Sequence, residues 1–371
     1  MVAPKGRAGR SLAEHLMIKS LLMLNFRCFK HLELDSFARV NIVVGRNGSG
    51  KTSLLEGIYL AAGGSPDTAL KLRRWRGFGI GAQVAATRTG YESLWRDLFF
   101  NFSPESGAAL EIVGDPSETT RKLYLQYRQD EERSLDLGKD PVADSAIMTP
   151  LTFAHTDENG NVVHSRILVD EGKFVVRPPV RPPVLAAFFN SISLFDGPAE
   201  PATQLSALRQ RNRADGLLRA VRAVYPSIES LSVEVISGVP MICGLIQPLD
   251  QLQPIALGSA GMTKLLHILL GIASVPKGVV LIDEIENGFY WETLPLVWAT
   301  VLDVAKEYET QVFASTHSME CLRALEPSLE INAGAFRLLR MTKDAAAIEP
   351  TVKPIKGNAL AAAITEGFEV R

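Results

Sequence analysis

Short β-branched runs that stop on glycine or acidic residues, each followed by apolar residues at helical spacing, recur along the chain and predict an α/β protein. In the first such unit Val40, Ile42, Val43 and Val44 run into Gly45, and Leu54, Leu55, Ile58, Tyr59 and Ala62 follow on one helical face. Residues 18–26 and 31–37 read as two strands leading into it, and Gly63-Gly64-Ser65-Pro66-Asp67 stops the helix. Alternating or β-branched runs at 109–113, 122–127, 162–168 and 173–176, separated by Gly, Asp, Asn and Ser, predict a β-rich lobe over about 108–177. Residues 129–144 hold few apolar anchors and read as a loop. After Pro178-Pro179 and Pro182-Pro183, one helix is expected over 204–224. A hairpin is then expected over 228–236 and 241–247 around Ser237-Gly-Val-Pro240. Leu265, Leu266, Ile268, Leu269 and Ile272 mark an apolar helix ended by Pro276-Lys-Gly278. Val279–Ile282 is the most hydrophobic strand and stops on Asp283-Glu284. A helix over 294–308, a strand over 311–315, a short helix to 325, strands at 336–341 and 346–352 and a helix at 358–365 complete the pattern.

Composition narrows the partners. With 46% hydrophobic and 22% charged residues the chain is an ordinary globular one. Its formal charge of −2 supplies no global positive field, so any nucleic-acid contact must come from a local patch. Two patches qualify: Lys71-Leu-Arg-Arg-Trp-Arg76, and Arg209, Arg211, Arg213, Arg219 and Arg222; the simpler reading of each is a solvated helix face. Cys28, Cys243 and Cys321 are far apart and odd in number, which disfavours a disulfide framework or a zinc site and fits a cytoplasmic protein. No run approaches roughly 18 uninterrupted apolar residues, so no membrane span is expected.

The chemistry begins at Gly45-Arg-Asn-Gly-Ser-Gly-Lys-Thr52, a phosphate-binding loop between strand and helix. Glycines let the backbone curl around a phosphate, the helix N-terminus adds positive potential, Lys51 reaches the β and γ oxygens of a nucleotide, and the Thr52 hydroxyl ligates Mg²⁺. Asp283 is suited to hold the Mg²⁺ of ATP through water, and Glu284 to orient and deprotonate the attacking water. His317 follows the next strand at the same sheet end, where it is expected to sense the γ-phosphate.

The order Asn25-Phe-Arg-Cys-Phe29, the phosphate loop, Gly258-Ser-Ala-Gly261, Leu281-Ile-Asp-Glu-Ile-Glu-Asn-Gly288 and Ser315-Thr-His317 resembles the ABC-type ATPases of the recombination (RecF), SMC and overcoming-lysogenisation-defect (OLD) branch. Within it, the chain is most similar to stand-alone OLD-like ATPases of bacterial anti-phage systems. The resemblance implies a P-loop NTPase of ABC-ATPase type: a central, mostly parallel sheet flanked by helices, with an antiparallel β lobe and an inserted helical region. On that pattern residues 1–11 are a flexible tail, 12–65 and 250–371 the ATPase core, and 66–249 the inserted lobe and helical subdomain. Asn47, Gly48, Ser49, Gly50, Lys51, Thr52 and Ser53 would hold ATP (Walker A), Asp283 and Glu284 would be Walker B, and His317 the switch histidine. Ser259 and Gly261 match the signature loop, which in the family contacts the γ-phosphate held by the opposite subunit. The implied unit is a head-to-head pair with two ATP molecules between the subunits, alone or within a higher oligomer.

Departures from the pattern carry information. The signature reads Gly-Ser-Ala-Gly-Met rather than Leu-Ser-Gly-Gly-Gln, and after Glu284 the chain runs Ile-Glu-Asn-Gly-Phe-Tyr290 without the Leu-Asp of transporters and SMC heads. Gln83 and Gln126 both remain open as the Q-loop residue. No sustained heptads lie between Lys51 and Ser259, which disfavours long-armed relatives, and residues 318–371 are too few for the Toprim nuclease of OLD nucleases. The resemblance thus implies an ATP-hydrolysing, dimerising switch controlling a separate effector, a nuclease or toxin, in anti-phage defence. The alternative is a RecF-like DNA-binding ATPase of recombination and repair; a transporter subunit is a distant third.

Overall fold

The computed structural model describes residues 17–76, 93–115, 119–127, 151–156, 161–170, 173–179, 186–190, 197, 199–344 and 347–366. The expected tail (1–11), the expected loop (129–144) and Gln83 lie outside them. A six-stranded sheet forms the centre, in the order β16 (Thr351–Lys356), β15 (Phe336–Thr342), β3 (Val40–Val44), β14 (Gln311–Thr316), β13 (Val279–Ile282) and β9 (Ala186–Phe189). All neighbours are parallel except β16, which pairs antiparallel with β15. This is the mostly parallel α/β sheet of a P-loop NTPase, with the carboxyl ends of β3, β13 and β14 side by side.

The two-residue period of the strands sorts their side chains to opposite faces. Val40, Ile42, Val44, Val280 and Ile282 pack with the apolar sides of α3 (Ala199–Gln210), α4 (Ala214–Val224), α5 (Ala260–Ser274) and α6 (Leu294–Glu307). Val43, Val279, Leu281 and Phe313 face the other way, onto α1 (Lys51–Gly63). On the far side of α1 lies a seven-stranded antiparallel sheet, ordered β2 (Phe29–Asp35), β1 (Met17–Phe26), β4 (Ala108–Asp115), β5 (Thr119–Tyr127), β6 (Leu151–Thr156), β7 (Val162–Asp170) and β8 (Lys173–Arg177). Helix α1 is therefore covered on both sides and buried almost throughout, which explains its apolar composition all round.

Side chains tie the sheets together: Arg337 of β15 donates to the Ser36 carbonyl beyond β2 (2.6 Å), Glu349 accepts the Lys30 and His31 N–H groups of β2 (3.1 and 3.3 Å), and the most deeply buried tie is at Gln311. Gln311, fully buried at the start of β14, accepts the Ile18 N–H through Oε1 (2.9 Å) and donates through Nε2 to the carbonyls of Ile18 (3.1 Å) and Ala38 (2.8 Å). Another tie is a buried charge cluster linking the β1–β2 turn, α1 and α2 (Pro66–Trp75). Arg27 and Arg76 each pair with Glu56 at 2.7 Å, and Arg27 and Arg73 both pair with Asp97.

Several expectations need correcting. The helix expected over 204–224 is two helices, α3 and α4, because Asn212 turns left-handed (φ 57°) and Arg213 N–H bonds back to Leu208 C=O (2.9 Å), a closing motif that ends α3. The strand expected at 346–352 is β16 at Thr351–Lys356, where the edge position tolerates Pro354. β6 and β9 were not expected; β9 is four residues of alanine and phenylalanine with too little pattern to stand out. The segment 66–249, expected as an insertion, continues the sheet begun by β1 and β2 and supplies edge strand β9 to the central sheet.

Candidate functional site

The loop after β3 curls because three glycines take positive φ: Gly45 (157°), Gly48 (77°) and Gly50 (96°). At Gly45 a Cβ would stand 2.5 Å from the Met341 carbonyl oxygen and 2.6 Å from Ser49 Oγ, so the close approach to β15 requires glycine. Lys51 opens α1 and folds back into the curl, donating to the carbonyls of Gly45 (2.9 Å) and Arg46 (3.2 Å). Burial lowers its pKa from the ordinary lysine range, while Asp283, Glu284 and Glu286 pull it up. Ser49 Oγ is buried with no hydrogen-bond partner among the described residues. Thr52 and Ser53 complete the first turn of α1, Ser53 beside Cys28. A cleft of about 830 Å³ opens over the loop, lined by Gly45, Arg46, Asn47, Gly48, Ser49 and His317 on one side and by the end of β15, Arg340 to Asp344, on the other.

The carboxylates meet this loop from β13. Asp283 Oδ2 accepts the Thr52 hydroxyl (2.8 Å) and Oδ1 accepts the Ser315 hydroxyl, which in turn accepts the Glu284 N–H (2.8 Å). Glu284 adopts a left-handed backbone (φ 50°), rare for a residue with a Cβ and costing about 1–3 kcal/mol. Its Oε2 accepts from Asn287 Nδ2 (2.6 Å), and its Oε1 lies 3.8 Å from His317 Nδ1. Glu286 holds the histidine from the other side: its Oε1 accepts the His317 N–H (3.0 Å) and lies 3.3 Å from Nδ1. The donor set fits a nucleotide and its magnesium. The glycine curl, the buried ammonium and the unpartnered Ser49 hydroxyl suit phosphate. One hydroxyl and one carboxylate in contact suit a cation that takes its remaining ligands from phosphate and water. Among the described residues no group of three or more His, Cys, Asp or Glu could hold a metal by itself.

The structure brings Lys51, Thr52, Asp283, Glu284 and His317 together, as the sequence predicts. Ser259 and Gly261 do not line this cleft; they start α5, where Gly261 abuts Tyr225, Gly288 and Phe289. Gln126 lies within β5, paired with Thr152 of β6. Sequence reasoning missed Ser315, Glu286, Asn287 and Lys264. Lys264 carried a faint signal, as a lone cation in an otherwise apolar helix. It is buried, donates to the carbonyls of Glu284 (2.7 Å) and Asn287 (2.9 Å), and its pKa is brought down to about 8 by burial, against the opposing pull of Glu286 and Glu284.

Some residues of the basic patches make contacts within the fold. Arg73 is buried against Asp97 and stacks on Trp95 (5.0 Å), and Arg76 holds Glu56. Arg209 and Arg222 donate to main-chain carbonyls of β10 (Ile228–Ile236), and Arg213 lies over Tyr308 (5.6 Å). Apart from Arg73, every basic residue of the two patches is exposed, and Lys71, Arg74, Arg211 and Arg219 are those with no contact described above.

A glycine-curled loop on a parallel sheet, with strand-end carboxylates meeting its threonine, defines a P-loop nucleoside-triphosphate site. Residues 20–133 match a family described as "AAA domain", and residues 184–323 one described as "AAA domain, putative AbiEii toxin, Type IV TA system". An ATP/GTP phosphatase of Helicobacter pylori is 22% identical over 340 residues, covering 84% of this chain and 88% of that one. The DNA replication and repair protein RecF of Thermomicrobium roseum is 34% identical over 109 residues, 29% of this chain; that match spans only 27% of RecF. A solved Smc head domain from Pyrococcus furiosus, bound to the C-terminal domain of ScpA, aligns with 95% of this chain and 99% of its own at 13% identity and a TM-score of 0.49. By these matches the chain is similar to AAA and ABC ATPases of the RecF and SMC type. No helix among the described residues is long and apolar enough to cross a membrane.

Proposed function

We propose that this chain binds Mg²⁺–ATP at Asn47–Ser53, hydrolyses it with Glu284 as base, and uses the cycle to open and close a head-to-head dimer that controls a separate effector protein. The observation that carries the reading is the continuous chain from the phosphate loop through Thr52, Asp283 and Ser315 to Glu284, with His317 beside it. Lys51 neutralises the β and γ oxygens, Thr52 and Asp283 hold the Mg²⁺, and Glu284 receives a proton from the attacking water. The metal, when bound, supplies charge neutralisation at the transferred phosphoryl group. His317, oriented by Glu286, contacts the γ-phosphate, and Ser259 with Gly261 completes the site of the other subunit.

Light scattering after gel filtration tests the dimer. Glu284→Gln protein with ATP and Mg²⁺ is expected at twice the monomer mass, returning to monomer without nucleotide; a monomer under both conditions sinks the dimer reading. Control of a toxin, in an anti-phage setting, takes its support from the second family description, which names a toxin and a Type IV TA system. Co-expression with the product of an adjacent gene tests it: growth arrest should require an intact Lys51. The RecF-like reading is favoured by the RecF segment. It predicts salt-sensitive duplex binding through Lys71, Arg74, Arg211 and Arg219, and an absence of binding at low salt excludes it.

A further inference from the structure

The peptide of Glu284 is gripped at both ends. Its N–H donates to Ser315 Oγ, and its carbonyl accepts from Lys264 Nζ (2.7 Å), whose ammonium also reaches the Asn287 carbonyl (2.9 Å) and lies 5.8 Å from the Phe289 ring. Lys264 is only 4% exposed, on a helix otherwise lined with leucine and isoleucine. A methionine there would fill the same space without desolvating a charge, so the ammonium needs a reason to be present. The backbone it holds is the strained one, left-handed Glu284, and the turn it closes carries Asn287, whose amide fixes the Glu284 carboxylate. Removing the strut frees the peptide to relax to an ordinary φ and swing the carboxylate away from the phosphate loop.

We propose that Lys264 is a positioning residue for hydrolysis: from the second turn of α5, the helix that starts at Ser259 and Gly261, it locks the Glu284 peptide in the conformation that aims the carboxylate into the nucleotide site. This inference rests on hydrolysis at Glu284. A contact that only stabilised the fold would leave the chemical step of the folded enzyme untouched. Lys264 instead acts through Glu284, and its removal matters only while Glu284 can act.

A double-mutant comparison tests this in the full chain, by single-turnover ATP hydrolysis and by affinity for a fluorescent ATP analogue. Lys264→Met is expected to slow hydrolysis about tenfold or more with nucleotide affinity within about twofold of wild type. Added to Glu284→Gln, it should cost nothing further, because the group it positions is gone. Lys264→Arg, which keeps the donors, should recover part of the rate. A Lys264→Met rate within about twofold of wild type, or an equal loss in the Glu284→Gln background, overturns the inference. If Lys264→Met does not fold, Lys264→Gln is measured in its place, and failure of both to fold marks Lys264 as structural and also overturns it. A wild-type protein that releases no phosphate overturns the hydrolytic reading itself, and this inference with it.

Discussion

Glu284→Gln protein will bind ATP as wild type does and hydrolyse it about a hundred to ten thousand times more slowly, the range over which a positioned general base acts. The substitution keeps the shape of the side chain and one oxygen for the Asn287 hydrogen bond, and it leaves Lys51, Thr52 and Asp283 untouched. The loss therefore falls on kcat rather than on binding, as expected of an interaction made only in the transition state. Phosphate-release kinetics beside equilibrium nucleotide binding separate the two. Glu286→Gln serves as the internal comparison. Its Oε1 faces the His317 main chain and imidazole, so it should weaken hydrolysis less. If Glu286→Gln abolished turnover while Glu284→Gln kept it, the assignment of the base would move by two residues.

The second large effect concerns folding. Asp97→Asn leaves Arg27, Arg73 and Arg76 around the single carboxylate of Glu56 and is expected to cost about 3–5 kcal/mol, the range seen when one partner of a buried ion pair is removed. Burial alone would raise the Asp97 carboxyl, but the Arg73 hydrogen bond and the charges of Arg27, Arg73 and Arg76 outweigh it and hold the pKa below the ordinary value. A carboxyl depressed in the folded state stabilises above its unfolded pKa, near about 3.9, and that contribution is lost as pH falls from there through the folded value. Urea denaturation at pH 7 should therefore show a large gap between wild type and Asp97→Asn, and at about pH 3 a narrower one. An equal gap at both values would mean that the cost lies in packing rather than in charge.

The candidate site was legible in the sequence because its residues are each suited to local chemistry: glycines where φ is positive, and a lysine and a threonine where a helix begins. A pair of carboxylates where a buried strand ends completes it. Those signals survive without knowledge of the fold. Ser315 and Glu286 were not legible, since each gains its role from a partner on a different strand or turn, and nothing in Phe313-Ala-Ser-Thr316 marks the serine as the link between Asp283 and Glu284. The arginines were read as solvated helix faces, and apart from Arg73 they are exposed, but their ion pairs were not legible. Lys71–Arg76 reads as a basic patch in one dimension, yet Arg73 and Arg76 point at Asp97 and Glu56, carboxylates that lie far from them in sequence. The single helix expected over 204–224 failed for a local reason: residues 209–216 carry no large apolar side chain to hold a helix against the core, and the chain reverses there through the left-handed Asn212.

The Gln311 tie is the most deeply buried of the side-chain ties between the two sheets. It grips Ile18 and Ala38 at the amino end of β14, while His317 stands just beyond the carboxyl end of the same strand, roughly 17–20 Å away at about 3.3 Å per residue. Because β14 is laddered to β3 and β13 along its length, the central sheet would have to turn about Gln311 as a unit. A small tilt about that pivot leaves the pinned end still and gives its largest displacement at the phosphates.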